Sequence, residues 1–426
     1  MPFRAVTPCP ASSEPHTLPC PTEDFRIMRI SSSYFSRQTA TEMMRQQSEI
    51  AKTQAQISSG KRINKPSDDP ASAARVEELN QASSQLEQYD RNGTFAESRL
   101  SLEETALGSV SNVLLRMKEL ALSANTDTIA AQDSNAFLAE IEQQLSELID
   151  YANTIDSNGD YLFAGNNGDT QPFSGNNPVS YAGDDGVQTV QIGPGRTVTT
   201  SHSGMDVFQR IRNGNGKFNV NAAAGNTGTA IISQGSVTDN ALFQQNDYSI
   251  QFTSATTYDV VDNTTGSTLV TGATYTADAQ IQFAGLQVSI SGTPATGDNF
   301  QIKPSTNQDL FQTVNNFIDI LKNPPANDAE KAQRRQKMNA FMSDLDQTFE
   351  HINSSRSEVG TRLKYIDSSR EENSAIKFQV DKTIAELEDL DYAEAISRLQ
   401  FQMTTLEAIQ RTFSRLEGMS LFNYLR

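Results

Sequence analysis

Metal, thiol and acid-base chemistry each need particular side chains at particular spacings, and the chain offers few of them. It has 3 histidines, His16, His202 and His351, scattered over three regions. No Cys-x-x-Cys, His-x-x-x-His or His-Glu-x-x-His spacing brings ligands onto one zinc ion. Both cysteines, Cys9 and Cys20, lie before Met28, so the rest of the chain has no thiol nucleophile and no disulfide. Asp68 and Asp69 are adjacent carboxylates that could share a proton or a cation. They also stand directly before Pro70, where an acid caps the free amides of a starting helix and the missing proline N–H costs nothing, and capping is the expected role. The run RNGNGKF from Arg212 to Phe218 lacks the GxxxxGK[ST] spacing of a phosphate cradle and reads as a turn, as does GPGR from Gly193 to Arg196. The GxSxG elbow and the spaced oxygen ligands of an EF-hand are absent. Nothing places a nucleophile, a base and a charge stabiliser together, so no enzyme activity, cofactor or metal is expected.

The overall charge narrows the partners. Lys+Arg 34 against Asp+Glu 52 gives a net charge of -18, and only 36% of the residues are hydrophobic. A nucleic-acid backbone needs a concentrated positive surface, so nucleic acid is not expected as a partner. Most phenylalanines and tyrosines fall in helical seams or alternating strands, where burial in a core is expected. No stretch has the apolar length of a membrane span, and membrane insertion is not expected.

The elements that must carry any function are long helices at both ends of the chain. Pro2, Pro8, Pro10, Pro15, Pro19 and Pro21 crowd the first 27 residues, which read as a disordered or non-native extension with Met28 as the start. From Tyr34 to Ser59 the chain is helical in composition, and Met43, Ile50 and Ile57 recur every seven residues as a thin apolar stripe. Gly60 stops this helix. A second begins at Pro70, carries Leu79 and Leu86, and continues past Gly93 with Leu107, Val110, Leu114, Met117 and Ala121. A third pattern runs from Phe137 to Ile155.

The character then changes. No glutamate occurs between Glu147 and Glu330, and Thr, Ser, Gly, Asn and β-branched residues replace the helix formers. Short alternating runs, VQTVQI, YSIQF, YDVVD, TLV, LQVSI and FQI, are separated by turn signals, which predicts a small antiparallel β domain of irregular period. Helix returns after Pro304. Leu345, Ile352, Val359, Ile366, Asn373, Val380 and Leu387 fall seven apart with one polar member, a coiled-coil-like seam. Some sixty helical residues extend roughly 90 Å at 1.5 Å per residue and cannot bury that seam against themselves. The fold class is therefore α+β, a long antiparallel helical rod built from both chain ends with an inserted antiparallel β domain. The expected divisions are an extension over 1–27, an N-terminal arm over 28–66, a helical body over 67–165 and 304–389, a β insert over 166–303, and a C-terminal arm over 390–426.

Between Leu387 and Tyr392 the register slips, and Tyr392, Leu399, Leu406 and Phe413 begin a new sevenfold series. This last segment carries more apolar surface than one thin helix can hide, ending in Leu416, Leu421 and Phe422. Met43, Ile50, Ile57, Leu399, Leu406, Phe413, Leu416, Leu421 and Phe422 are the candidate interface residues, to be buried against other copies or other subunits. Each such side chain contributes about 1.5–3 kcal/mol when fully buried.

The motifs point the same way. ISSGKRINKPSDDPASAARV, from Ile57 to Val76, resembles the N-terminal signature of the bacterial flagellin superfamily. YLFAG at Tyr161, GDNFQI at Gly297 and the segment from Leu390 to Leu425 more narrowly resemble its hook-filament junction family, with the bulk flagellin filament subunit as the alternative. The resemblance runs from Met28 to Arg426, apart from the body of the insert, and the sequence before Met28 departs from it. It implies a secreted, extracellular structural subunit at the junction of hook and filament, needed for filament assembly and motility. Implied partners are further copies in a ring, the other hook-filament junction protein, flagellin, an export chaperone and the type III export apparatus.

Overall fold

The computed structural model describes residues 32–125 and 131–418 of the chain. The extension over 1–27 and the start at Met28 lie outside them. Helices α1 (Ser32–Ser59), α2 (Pro70–Ala124) and α3 (Ala131–Ala152) come first. Antiparallel strands occupy the middle, and α4 (Leu310–Lys322), α5 (Asp328–Glu388) and α6 (Tyr392–Gly418) follow. The fold is α+β, with long helices from both chain ends packed together and an antiparallel β region central in the sequence. Two compact units are formed: one from the chain up to Glu78 and from Thr383 onward, the other from Leu79–Lys382.

In the Leu79–Lys382 unit α2 and α5 lie antiparallel. Arg370 pairs with Asp90 and Glu97, Arg356 with Glu104, and Lys118 with Asp346, so the partner number falls as the α2 number rises. The sevenfold series explains the burial. Leu345, Ile352, Val359 and Ile366 are buried against Leu100, Leu107, Val110, Leu114 and Met117 in one core. That core continues under α3 and α4 to Phe163, Phe173, Phe208 and Phe311, whose rings meet at 5.1 to 5.9 Å. Asp309 starts α4 by accepting from the amides of Phe311 and Gln312 at 2.7 and 3.2 Å.

Asn373, the polar member of the series, has a specific task. It is buried, and its Nδ2 donates to the Ile192 carbonyl at 2.7 Å, alongside Ser369 Oγ at 3.0 Å. Ile192 belongs to the hairpin Thr189–Gly193/Arg196–Thr199, so the seam holds the backbone of a strand where apolar contact would leave a buried carbonyl under-satisfied. Asn373→Leu is expected to lower the unfolding free energy by roughly 1–3 kcal/mol, read as a shifted urea midpoint with unchanged slope.

The β region is a two-layer sandwich. One antiparallel sheet has the order Ser267–Thr274, Thr257–Asp262, Tyr248–Ser254, Asn299–Pro304, Phe218–Ala222; the other pairs Leu286–Ser291 with Gln280–Phe283 and two short strands. Alternation does the folding. Val260, Ile250, Phe300, Ile302 and Val220 from the first sheet meet Ile281, Val288 and Ile290 from the second in a single core. All six alternating runs lie wholly or partly in strands. Phe218–Ala222 and Gln280–Phe283 are additional strands, in which the residues between the apolar ones are Asn and Gln.

As expected, α2 continues through Gly93, where a Cβ would meet the side chains of Arg370 and Ile366 at 3.4 and 3.6 Å. One expectation needs adjustment. Helix α3 stops at Ala152, before Ile155, which is largely exposed and bridges to Tyr161. Among the ionisable residues, Arg99 and Glu103 of α2 and Asp156 after α3 are buried.

Candidate assembly interface

The terminal unit is built around a short crossing of backbone. Gly60 ends α1 at a φ of +72°, a left-handed conformation that a side chain would strain, and an added Cβ would stand 2.9 Å from Tyr392 Oη. The next residues pair with the other end of the chain. Arg62 N donates to the Glu388 carbonyl at 2.6 Å, Leu390 N donates to the Gly60 carbonyl at 3.0 Å, and Lys61 Nζ lies 2.7 Å from Glu388. Asp391 then starts α6 by accepting from the amides of Ala393 and Glu394. The helix break from Glu388 to Tyr392 falls where the heptad register slips.

Of the paired acids, Asp69 caps α2, accepting from Ser72 N at 3.1 Å before Pro70, whereas Asp68 does not cap the helix and closes the preceding loop by accepting from the amides of Asn64 and Lys65. Lys52 Nζ on α1 reaches Asp68 at 3.1 Å. The bond from Lys52 and those two amides hold the Asp68 carboxyl below its usual range. Ser72 does the same for Asp69, with help from Arg62. Both are kept ionised by structural partners, and neither is poised to exchange a proton.

Beyond this joint α1 and α6 lie antiparallel. Gln46 Nε2 donates to the Gln402 carbonyl at 3.2 Å and Thr53 Oγ1 to Gln402 Oε1 at 2.9 Å. Of the candidate interface residues, Met43, Ile50 and Ile57 on α1 and Leu399, Leu406 and Phe413 on α6 are half-buried. They share the stripes that carry those crossing hydrogen bonds. Leu416 falls in the last turn of α6; its side chain, and all of Leu421 and Phe422, lie outside the described residues. Toward the far end the helices part into a groove of about 500 Å³ flanked by Phe35, Gln38, Glu42, Thr405 and Ile409.

Two helices cannot make a core. Among the described residues of this unit only Ile63, Val76 and Ala395 are buried apolar side chains. Large apolar groups stand in water instead: Phe401 is 74% exposed, Tyr34 64% and Met44 62%, with Phe35, Ile396 and Met403 also open. Tyr34, Phe35, Met44 and Phe401 lie off the sevenfold series, which marks only the seam within the pair. The signal that could find them is the presence of large apolar residues on the polar side of that stripe.

Among the described residues no group of three or more His, Cys, Asp or Glu could hold a metal ion, and no helix is long and apolar enough to cross a membrane.

An incomplete pair of terminal helices, joined by a long helical body to a β insert, defines a filament-type structural subunit of the flagellin class. Residues 30–168 match the bacterial flagellin N-terminal helical region and 342–425 the bacterial flagellin C-terminal helical region. Residues 221–304 match the D2-like domain of flagellar hook-associated protein 1. The crystal structure of FlgL from Xanthomonas campestris is 30% identical and superposes with a TM-score of 0.67, over 72% of this chain and 99% of that one. Flagellar hook associated protein-3 from Legionella pneumophila is 31% identical with a TM-score of 0.69, over 73% and 98%. Flagellar hook-associated protein 3 of Salmonella typhimurium is 24% identical over 400 residues, 94% of this chain and 100% of its own. The chain belongs to the FlgL, or flagellar hook-associated protein 3, family. It is a structural junction subunit of the extracellular flagellum; the flagellins it resembles match over smaller shares of the chain.

Proposed function

We propose that this subunit performs its junction role by leaving its terminal unit unfinished until it docks among neighbours. The observation that carries the reading is the contrast in burial. The Leu79–Lys382 unit closes two cores of its own, whereas α1 and α6 bury almost nothing apolar and expose Phe401, Tyr34 and Met44. Neighbouring copies in a ring cover these groups together with Met43, Ile50, Ile57, Leu399, Leu406 and Phe413. Leu416, Leu421 and Phe422 are assigned to the same docking role. At about 1.5–3 kcal/mol for each side chain fully buried, a few such contacts offset the entropy of ordering the arms.

The other hook-filament junction protein on one side and flagellin on the other are the assigned axial neighbours. Before secretion the same apolar arm needs cover, which an export chaperone supplies on the way to the type III export apparatus. Functionally, 28–66 and 390–426 act as the arm, 67–165 and 304–389 as the body, and 166–303 as the insert. Immunogold labelling of intact flagella tests the placement. A single band where hook meets filament is expected, and label along the whole filament would overturn it in favour of a flagellin.

A further inference from the structure

Among the described residues, the histidine whose two ring nitrogens both face carboxylates is in the buried segment after the hairpin. Thr200, Ser201 and Ser203 are fully or almost fully buried, and His202 between them is enclosed by α2 and α5. Its Nδ1 lies 2.6 Å from Glu103 Oε1 on α2, and its Nε2 lies 3.1 Å from Glu358 Oε2 on α5. The His202 amide adds a third contact, donating to Glu103 Oε1 at 3.3 Å. Ionised carboxylates only accept, and a neutral imidazole carries one N–H, so satisfying both contacts requires the doubly protonated ring. The segment is closely packed at its end: at Gly204 an added Cβ would stand 2.7 Å from the Phe163 carbonyl.

We infer that His202 is an imidazolium clasp joining α2 to α5, and that its deprotonation releases the segment through which the chain passes from the hairpin into the β sandwich.

Glu103 makes the clasp sensitive. Its side chain has no exposure, and its Oε2 has no hydrogen-bond partner among the described residues. The cation one turn earlier on α2, Arg99, is bonded to Asp156. On α5 the second cation facing the site is Arg362, whose Nη2 is 3.4 Å from Glu358 and whose charge opposes that of the ring. Burial by itself lowers the His202 pKa. The hydrogen bond and charge of Glu103, with Glu358 adding, outweigh burial and Arg362, so the net shift is upward from 6.5. A group whose pKa is higher folded than unfolded contributes fully below its unfolded value. That contribution is lost as pH rises through the folded value. The clasp therefore holds below pH 6.5 and opens as pH rises through the raised folded value, where Glu103 is left as a buried charge without a counterion.

The full chain has 3 histidines, so imidazole nitrogen resonances can be followed directly, with His16→Gln and His351→Gln assigning the other two. The expected result is a His202 ring with both nitrogens protonated near pH 6 and a titration midpoint above 6.5. In parallel, the urea midpoint of the unaltered protein should fall more steeply from pH 6 to 9 than that of His202→Gln or Glu103→Gln. A ring with one bare nitrogen at pH 6, signifying a neutral imidazole beside a protonated Glu103, overturns the inference. So does an unchanged pH slope in both variants. If His202→Gln fails to fold, the ring titration of the unaltered chain still decides.

Discussion

Removing residues 397–426 leaves a folded Leu79–Lys382 unit and abolishes filament growth. The truncation takes away almost all of α6 and, with it, Leu399, Phe401, Leu406 and Phe413, while touching no residue of the two large hydrophobic cores. Circular dichroism and the main thermal transition should be preserved, apart from the helical signal of α6 and its partner. Cells carrying the truncated chain in place of the full one should have hooks and lack filaments. The effect is all-or-none because α1 alone has no partner stripe, and the free energy of docking is concentrated in the removed apolar groups. Filament growth supported by the truncated chain would sink the assignment of the terminal unit as the interface.

Asp156→Ala carries the largest expected cost for any single side chain outside the apolar cores. Asp156 lies 2.6 Å from Arg99 Nη1, both side chains are 2% exposed, and Arg99 Nε and Nη2 have no hydrogen-bond partner among the described residues. Asp156 Oδ1 also accepts from the amides of Asn158 and Asp160, shaping the turn after α3. Its loss leaves a guanidinium inside the body with no counterion, a change that costs about 3–5 kcal/mol. Urea unfolding of the variant should show that fall. Replacing both partners by apolar side chains, as in the pair Arg99→Met and Asp156→Leu, should recover part of it, because the unpaired charge is then gone. A fall below about 1 kcal/mol for Asp156→Ala would mean that water reaches Arg99.

Periodicity made the helices and the sandwich legible before any coordinates. Leu345, Ile352, Val359 and Ile366 at sevenfold spacing, and alternation in runs such as YSIQF and LQVSI, follow from the repeat of the backbone itself, 3.6 residues per helical turn and two per strand repeat. Asp69 before Pro70 and the stop at Gly60 were readable because capping acts over one turn of chain. The strands Phe218–Ala222 and Gln280–Phe283 were harder to read, because Asn, which is depleted in strands, fills the alternate positions of the first and the second is only 4 residues long.

The sequence by itself determined the long helices, the alternating runs of the β region and the need for a distant part of the chain to cover a sevenfold seam. Only the tertiary structure decided which partners meet across separations of 57 to 181 positions: Asn373 with Ile192, Arg99 with Asp156, His202 with Glu103 and Glu358. It alone separated the half-buried stripe of Met43, Ile50, Ile57, Leu399, Leu406 and Phe413 from the exposed Phe401, Tyr34 and Met44. The reason is physical: local spacing fixes the direction of a side chain around its own helix axis, whereas burial depends on what the rest of the chain brings to that face.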